Sequence, residues 1–270
     1  LYGRGIDSEE KIRAFLTPSS RRYLSPFLLS GMREAVELLT RARDEGLTVA
    51  VFGDYDADGV CALSVMHFAL RAFGIEPYLY VPERSEGYGL TVEAIDKIFD
   101  EVLPDLFITV DCGISNADAV LYIRECGADV IVTDHHQLPE HLPDCICINP
   151  KFEDDYPYDN LCGAGVAFKL ACALIGERAY PLADFAAIAS VADSVPLLGE
   201  NRDIVAEGLR RINESPRPCF SALLGKQAGA ANAQTLAFAI APRINAAGRM
   251  GDAHAALSLF TSESEAEISD

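Results

Sequence analysis

Three aspartates alternate along Asp54-Tyr55-Asp56-Ala57-Asp58-Gly59, directly after the apolar run Leu47 to Phe52 and Gly53. If the backbone stays extended there, alternate side chains share a side, and Asp54, Asp56 and Asp58 project into one volume. Carboxylates that close raise one another's pKa unless a cation neutralises them. Two further clusters stand in the same relation to apolar runs. Asp111-Cys112-Gly113 follows Phe107 to Val110, and Asp134-His135-His136 follows Val130 to Thr133. Carboxylate oxygens with one or two imidazoles suit Mn²⁺ or Mg²⁺ better than thiolate-bound Zn²⁺. Two such ions about 3.5 to 4 Å apart activate a water and hold the oxygens of an in-line attack at phosphorus, so the implied chemistry is phosphoester hydrolysis.

These residues are useful only if strands deliver them to one place. Thr48 to Phe52 is β-branched and aromatic and bounded by glycine, which predicts a buried strand. Strands are also expected at 75–81, 106–110, 129–133 and 145–148, alternating with helices at 60–73, 92–101 and 116–126. Continuous apolar strands alternating with helices predict an α/β fold with a doubly wound, mainly parallel sheet, followed by a mostly helical segment. In such sheets ligands bind beyond the carboxyl ends of the strands, which is where all three clusters fall. Residues 1–46 are expected to be helical and loop-like, with a helix over Met32 to Ala42 ended by Gly46. After Pro150 the spacing predicts helices near 166–175, 182–191, 204–212, 218–224 and 235–240. The expected organisation is an N-terminal segment 1–46, a catalytic α/β domain 47–195, and a helical segment 196–270 leading toward a further domain.

Rival readings of the acidic turn fit less well. Asp-x-Asp-x-Asp-Gly also opens a calcium-binding EF-hand loop, but the position of its bidentate glutamate is Val65 and a strand precedes the loop. Asp56-Ala57-Asp58-Gly59-Val60 also has the form of a haloacid-dehalogenase-type phosphatase signature, in which the first acid is a nucleophile. That reading leaves His135 and His136 without a role. No Gly-Lys-Ser/Thr follows the strand, which removes a P-loop.

With 270 residues and 50% hydrophobic content, the chain can bury one large core or two medium ones. No apolar run approaches the ~18 residues of a membrane span. The 8 cysteines are scattered and form no Cys-x-x-Cys pair, which fits reduced thiols of the cytoplasm. The net charge of −19 opposes a nucleic-acid partner. Residues 1–46 are nearly balanced, with eight Lys/Arg against seven Asp/Glu, so the acidity lies in the remainder, which holds the suspected metal cluster. The chain opens on Leu1 and ends in a polar stretch from Ser262 to Asp270, and more protein is expected on the C-terminal side.

Asp54 to Gly59, Val110-Asp111-Cys112-Gly113-Ile114-Ser115, Val132-Thr133-Asp134-His135-His136 and Val191-Ala192-Asp193 resemble, in order and spacing, the four motifs of the DHH phosphoesterase superfamily. Arg84 to Leu90, Leu161 to Phe168 and Pro242 to Gly251 resemble its bacterial single-strand-specific 5′ exonuclease branch. The resemblance covers nearly the whole chain. It implies a 5′ to 3′ exonuclease core of DNA repair and recombination, dependent on two Mn²⁺ or Mg²⁺ ions. It implies Asp56, Asp58, Asp111, His135 and Asp193 as metal ligands, with Asp111 as the bridge and Asp54 as a further ligand. His136 would contact the scissile phosphate, and Asp134 would orient an imidazole. Arg84, Arg243 and Arg249 are candidate phosphate clamps because guanidinium forks match phosphate oxygens. Gly163-Ala164-Gly165 lacks the third glycine of a dinucleotide fingerprint and instead opens a helix whose amides are expected near the substrate. Tyr88 is a candidate base-stacking residue. The implied partners are single-stranded DNA, single-strand-binding protein and a recombination helicase, met by a monomer with no membrane association. Alternatives are a phosphodiesterase for very short oligonucleotides or cyclic dinucleotides, an inorganic pyrophosphatase, or a non-catalytic replication scaffold.

Overall fold

In the computed structural model, which describes residues 1–87, 89–152, 156–225 and 229–262, five parallel strands form one sheet. The strands are β1 (Val49–Gly53), β2 (Tyr78–Tyr80), β3 (Leu106–Val110), β4 (Asp129–Thr133) and β5 (Ile146–Ile148), in the order β2-β1-β3-β4-β5. The helices before and within the sheet region are α1 (Glu9–Leu16), α2 (Met32–Glu45), α3 (Ala57–Phe73), α4 (Val92–Val102) and α5 (Ala117–Glu125). Beyond the sheet come α6 (Gly163–Ile175), α7 (Ala183–Ala192), α8 (Gly199–Glu214), α9 (Pro218–Leu224), the short α10 (Ala233–Thr235), α11 (Ala241–Met250) and α12 (Ala253–Thr261).

Period-two alternation sends successive strand residues to opposite faces, and both faces are covered. Ala50, Phe52, Phe107, Val130 and Val132 pack with Ala94, Ile95 and Ile98 of α4 and Val120 and Ile123 of α5. Val49, Val51, Ile108, Val110 and Ile131 pack on the other side with α2, α3 and α6. That second cluster continues from Leu29 to Phe260, so the N-terminal segment and the late helices share one core with the sheet. Its centre is α3, apolar on every side (Val60, Cys61, Ala62, Leu63, Val65, Met66) and packed on both α6 and α7.

Differences from the sequence reading cluster at element ends. The helix expected from Val60 begins at Ala57, because the Asp56 carboxylate accepts from the amides of Asp58 (2.9 Å) and Gly59 (3.0 Å) and caps the first turn. The strand expected over 75–81 is confined to Tyr78–Tyr80. The helix expected at 235–240 is a π turn, Leu236–Ile240, and it runs directly into α11, where no helix was expected. Tyr88 and the end of the stretch after Ser262 lie outside the described residues.

Candidate metal centre

Gly53 pairs with Val110, Val110 with Thr133, and Thr133 with Ile148. These are the last residues of β1, β3, β4 and β5, so the four residues that follow, Asp54, Asp111, Asp134 and Asn149, start from one line across the sheet. The line crosses the point between β1 and β3 where the chain reverses its direction of winding, the usual ligand position in this topology. Two buried threonines hold the strand ends: Thr109 Oγ1 donates to the Cys112 carbonyl (2.8 Å) and Thr133 Oγ1 to the Thr109 carbonyl (2.9 Å).

Asp54, Asp58 and Asp111 are 1%, 3% and 2% exposed, a depth at which unpaired carboxylates are costly. Asp58 does not reach the site along an extended strand, as the alternation predicted. It stands in the first turn of α3, and its two oxygens accept from the amides of Gly163 and Ala164, both at 2.7 Å. The N-terminus of α6 therefore holds a candidate ligand carboxylate. Asp111 adopts φ of 61°, a left-handed backbone uncommon outside glycine, and its amide donates to the Thr133 carbonyl. Its Oδ1 has no hydrogen-bond partner among the described residues and lies 3.1 Å from His135 Nε2. His135 also lies 3.7 Å from Asp58 Oδ2 and 3.9 Å from Asp193 Oδ2. Asp193 ends α7 and is the more exposed wall of the site.

Asp134 organises the histidine loop. Its Oδ1 accepts from the amides of His135 (2.7 Å) and His136 (3.0 Å) and pairs with His136 Nδ1 (2.7 Å), while Oδ2 accepts from the Ile114 amide (2.9 Å). The Nδ1 contact leaves His136 Nε2 as the ring nitrogen available to a ligand. Burial alone would raise the Asp134 carboxyl, but the His136 imidazole and these amides outweigh it and lower it. The same pairing raises His136. His135 is pushed down to about 4 by burial and by the charge of His136, which keeps it neutral and able to ligate.

The donor set fits divalent cations. Burial and then repulsion from Asp56 push the Asp58 carboxyl up to about 7, and burial with the charge of Asp58 raises Asp111 well above its ordinary value. Cations placed between them would relieve both while leaving the carboxylates ionised. Among the described residues, two groups have ligand atoms within 4.8 Å of one another: Asp58, His135 and Asp193, and Asp111, His135 and His136. They adjoin through His135, whose neutral ring has one lone pair and can serve one ion.

The phosphate-side expectations divide. The amides of Gly163 and Gly165 do not face a substrate: the first is committed to Asp58 and the second donates to Cys162 Sγ (3.4 Å). Gly163 is needed for space, since a Cβ there would overlap the Asp111 carboxylate. Arg243 is turned away from the acids. Its guanidinium donates to the Leu223 carbonyl (2.5 Å), and at ~100° per residue it projects from the side of α11 opposite Asn245. Arg249, one turn after Asn245, shares the face of α11 that meets the acidic turn and is exposed. Arg84 is exposed on a 3-10 turn, Arg84–Glu86, and the preceding Glu83 lies against Gly251 at the end of α11.

Four contributors escaped the sequence reading. Asn149 Nδ2 donates to the His136 carbonyl (3.0 Å), and Lys151 Nζ donates to the His135 carbonyl. Asn245 Oδ1 accepts from the Ala57 amide (2.9 Å), while Gly248 brings α11 so close that a Cβ would overlap the Tyr55 carbonyl. The usable signal for Asn149 was its place directly after the last strand, like Asp54, Asp111 and Asp134 before it.

A parallel sheet of this order with an Asp/His centre at its carboxyl edge defines a DHH-type domain, and the chain belongs to this family. The model of the DHH family, N-terminal domain, matches residues 48–192. Among similar proteins are the single-stranded-DNA-specific exonuclease RecJ of Bacillus subtilis, 40% identical over 100% of this chain and 35% of the relative, and that of Thermus thermophilus, 40% identical over 88% and 36%. A solved exonuclease RecJ bound to manganese superposes with a TM-score of 0.84 at 39% identity, covering 92% of this chain and 65% of that one. RecJ of Thermus thermophilus in complex with Mg²⁺ superposes at 0.73 with 33% identity, covering 98% and 35%. The chain spans roughly a third to a half of the length of the curated relatives it matches.

Proposed function

We propose that this chain is the catalytic core of a Mn²⁺- or Mg²⁺-dependent exonuclease that releases nucleotides from the 5′ end of single-stranded DNA. The observation that carries the reading is the buried Asp/His cluster of two adjoining ligand groups, in a chain 40% identical to a single-stranded-DNA-specific exonuclease. Asp58, His135 and Asp193 would hold one ion and Asp111 the other, with Asp54 and Asp56 lining the turn beside them. Bound ions would lower the pKa of a water and neutralise the phosphate oxygens. The remaining work belongs to side chains. Asp134 fixes His136 through Nδ1 and keeps its pKa high, so Nε2 holds a proton that hydrogen-bonds a phosphate oxygen as charge builds in the transition state. Asn149 and Lys151 fix the carbonyls of the two histidines, and the α6 N-terminus holds Asp58. Arg249 and Arg84 would grip backbone phosphates outside the metal turn. Single-strand-binding protein and a recombination helicase are the partners expected for such a core, acting as a monomer. A cytoplasmic setting is supported by eight unbridged cysteines. No helix among the described residues is long and apolar enough to cross a membrane.

The net charge of −19 favours a second reading, a phosphodiesterase of very short oligonucleotides, which carry little phosphate to repel. Digestion of long 5′-labelled single strands, a dinucleotide and pyrophosphate, with Mn²⁺ or EDTA, separates the readings. The expected result is nucleotide release from the long strand, abolished by EDTA and by Asp111→Ala. Activity that survives either change removes the two-metal mechanism, and a preference for the dinucleotide moves the assignment to the second reading.

A further inference from the structure

Cys145 and Cys147 flank the first residue of β5, with their sulfurs 3.7 Å apart. Both are half-buried, and neither belongs to the metal centre. The strand they open is what holds the histidine loop. The Asp134 amide donates to the Ile148 carbonyl (3.0 Å), Asn149 Nδ2 to the His136 carbonyl, and Lys151 Nζ to the His135 carbonyl. Among the described residues β5 is also the edge of the sheet, paired with β4 alone, so no further strand ladder holds its outer side, where Gly31 lies against the Cys147 carbonyl.

We propose that Cys145 and Cys147 form an oxidant-sensitive dithiol whose closure to a disulfide pulls β5 away from the loop carrying His135 and His136. In an extended strand, alternate Cα atoms stand about 6.6 Å apart. A disulfide prefers about 5.5 to 6 Å. Closure therefore shortens the chain at the start of β5 and buckles it, which displaces Ile148 and the residues after it. The oxidant is a hydroperoxide. The Cys147 sulfur, favoured as thiolate by the neighbouring Cys145 thiol, attacks the O–O bond to give a sulfenic acid and, from hydrogen peroxide, one water. The Cys145 sulfur then attacks that sulfur, forming the S–S bond and expelling a second water. Two thiols and one peroxide give one disulfide and two waters, with two electrons passing from sulfur to oxygen. A bond so strained is readily reduced by small thiols, as a reversible site requires. The loss of metal affinity rests on the function proposed above; formation of the bond and movement of the loop do not.

The test uses the whole chain carrying Cys126→Ser, because exposed Cys126 shares the tryptic peptide 125–151 with the pair. After hydrogen peroxide, this peptide should lose two hydrogens, and Cys145→Ser or Cys147→Ser should each prevent it. Amide exchange across residues 134–148 should rise on oxidation, Mn²⁺ affinity should fall about tenfold, and dithiothreitol should reverse both. A peptide that keeps both thiols, or a closed disulfide that leaves exchange unchanged, overturns the proposal. A reduced chain that fails to bind Mn²⁺ overturns the metal reading instead, while mass and exchange still decide the dithiol.

Discussion

The two adjacent histidines are held in opposite electrostatic states, and this gives them separable effects. His135 is neutral beside three acids, whereas His136 is tied to Asp134 and raised. His135→Ala should lower Mn²⁺ affinity by about 10 to 100-fold, as loss of a ligand or its support does. His136→Ala should leave Mn²⁺ affinity within a few-fold and lower kcat by about 10² to 10³, the scale of a lost transition-state donor. Calorimetry paired with steady-state kinetics distinguishes them, and equal loss of metal by both variants would make His136 a ligand. Protons follow from the same residues. Asp58, raised from 3.8 to about 7, keeps its proton through that window when no metal is present, whereas His135 is already neutral above about 4. Metal binding must therefore expel carboxyl protons below about 7, and Mn²⁺ affinity should fall as the pH drops through that value. Folding without metal responds in two opposed ways. A raised carboxyl favours the folded state more as pH falls, so Asp58 lowers stability as pH climbs from 3.8 to about 7. His135, lowered from 6.5 to about 4, contributes stability above 6.5 that is lost on acidification. The two offset one another between about 4 and 6.5, so proton release measured by calorimetry in buffers of different ionisation enthalpy is the cleaner readout. Asp54, Asp111, Asp134 and His135 were legible in the sequence because each follows an apolar strand. Asp193 was not legible from its own surroundings, an apolar helix, and only the family resemblance pointed to it.

At the scale of elements, the centre depends on two helices that the strands do not predict. The N-terminus of α6 holds Asp58, and α11 braces the acidic turn through Asn245 and Gly248. Asn245→Ala removes the acceptor of the Ala57 amide and should weaken Mn²⁺ binding about tenfold, with the melting temperature in EDTA shifted by only a few degrees. An unchanged Mn²⁺ affinity would reduce Asn245 to an ordinary helix contact. Gly163→Ala should be more severe, because its methyl group would occupy the space of the Asp111 carboxylate. The parallel, doubly wound character of the sheet followed from alternation and apolar continuity. The early start of α3 did not, because it depends on Asp56, read from the sequence as a metal ligand, capping the helix through the amides of Asp58 and Gly59, a use that residue spacing does not express. The π turn before α11 was hidden for a similar reason: Leu236 to Ile240 has ordinary helical composition, and its extra residue per turn is imposed by packing.

For the whole molecule, a buried ion pair fastens the N-terminal segment to the sheet domain. Lys169 Nζ on α6 donates to Glu200 on α8 (2.6 Å) and to the Leu24 carbonyl, and the same carboxylate accepts from the Leu24 amide and from Tyr156. Glu200→Ala leaves a buried ammonium unpaired and should cost about 3 to 5 kcal/mol, read by denaturant melts. Under the proposed function, the overall acidity would make the few well-placed cations important for holding DNA. Arg249→Ala should lower affinity for single strands and flatten the logarithmic salt dependence by about one unit. An unchanged slope would take Arg249 out of the phosphate contacts. The line Gly53, Val110, Thr133, Ile148 also has a meaning in time. The proposed ligands run from Asp54 to Asp193, and between them the ribosome must deliver four strands and the helices α3 to α7. A nascent chain that has just exposed its first acids has no His135 and no Asp193 to complete either cation position. Under the proposed ligand assignment, metal loading would wait until most of this chain has emerged, and a truncated product would stay chemically silent.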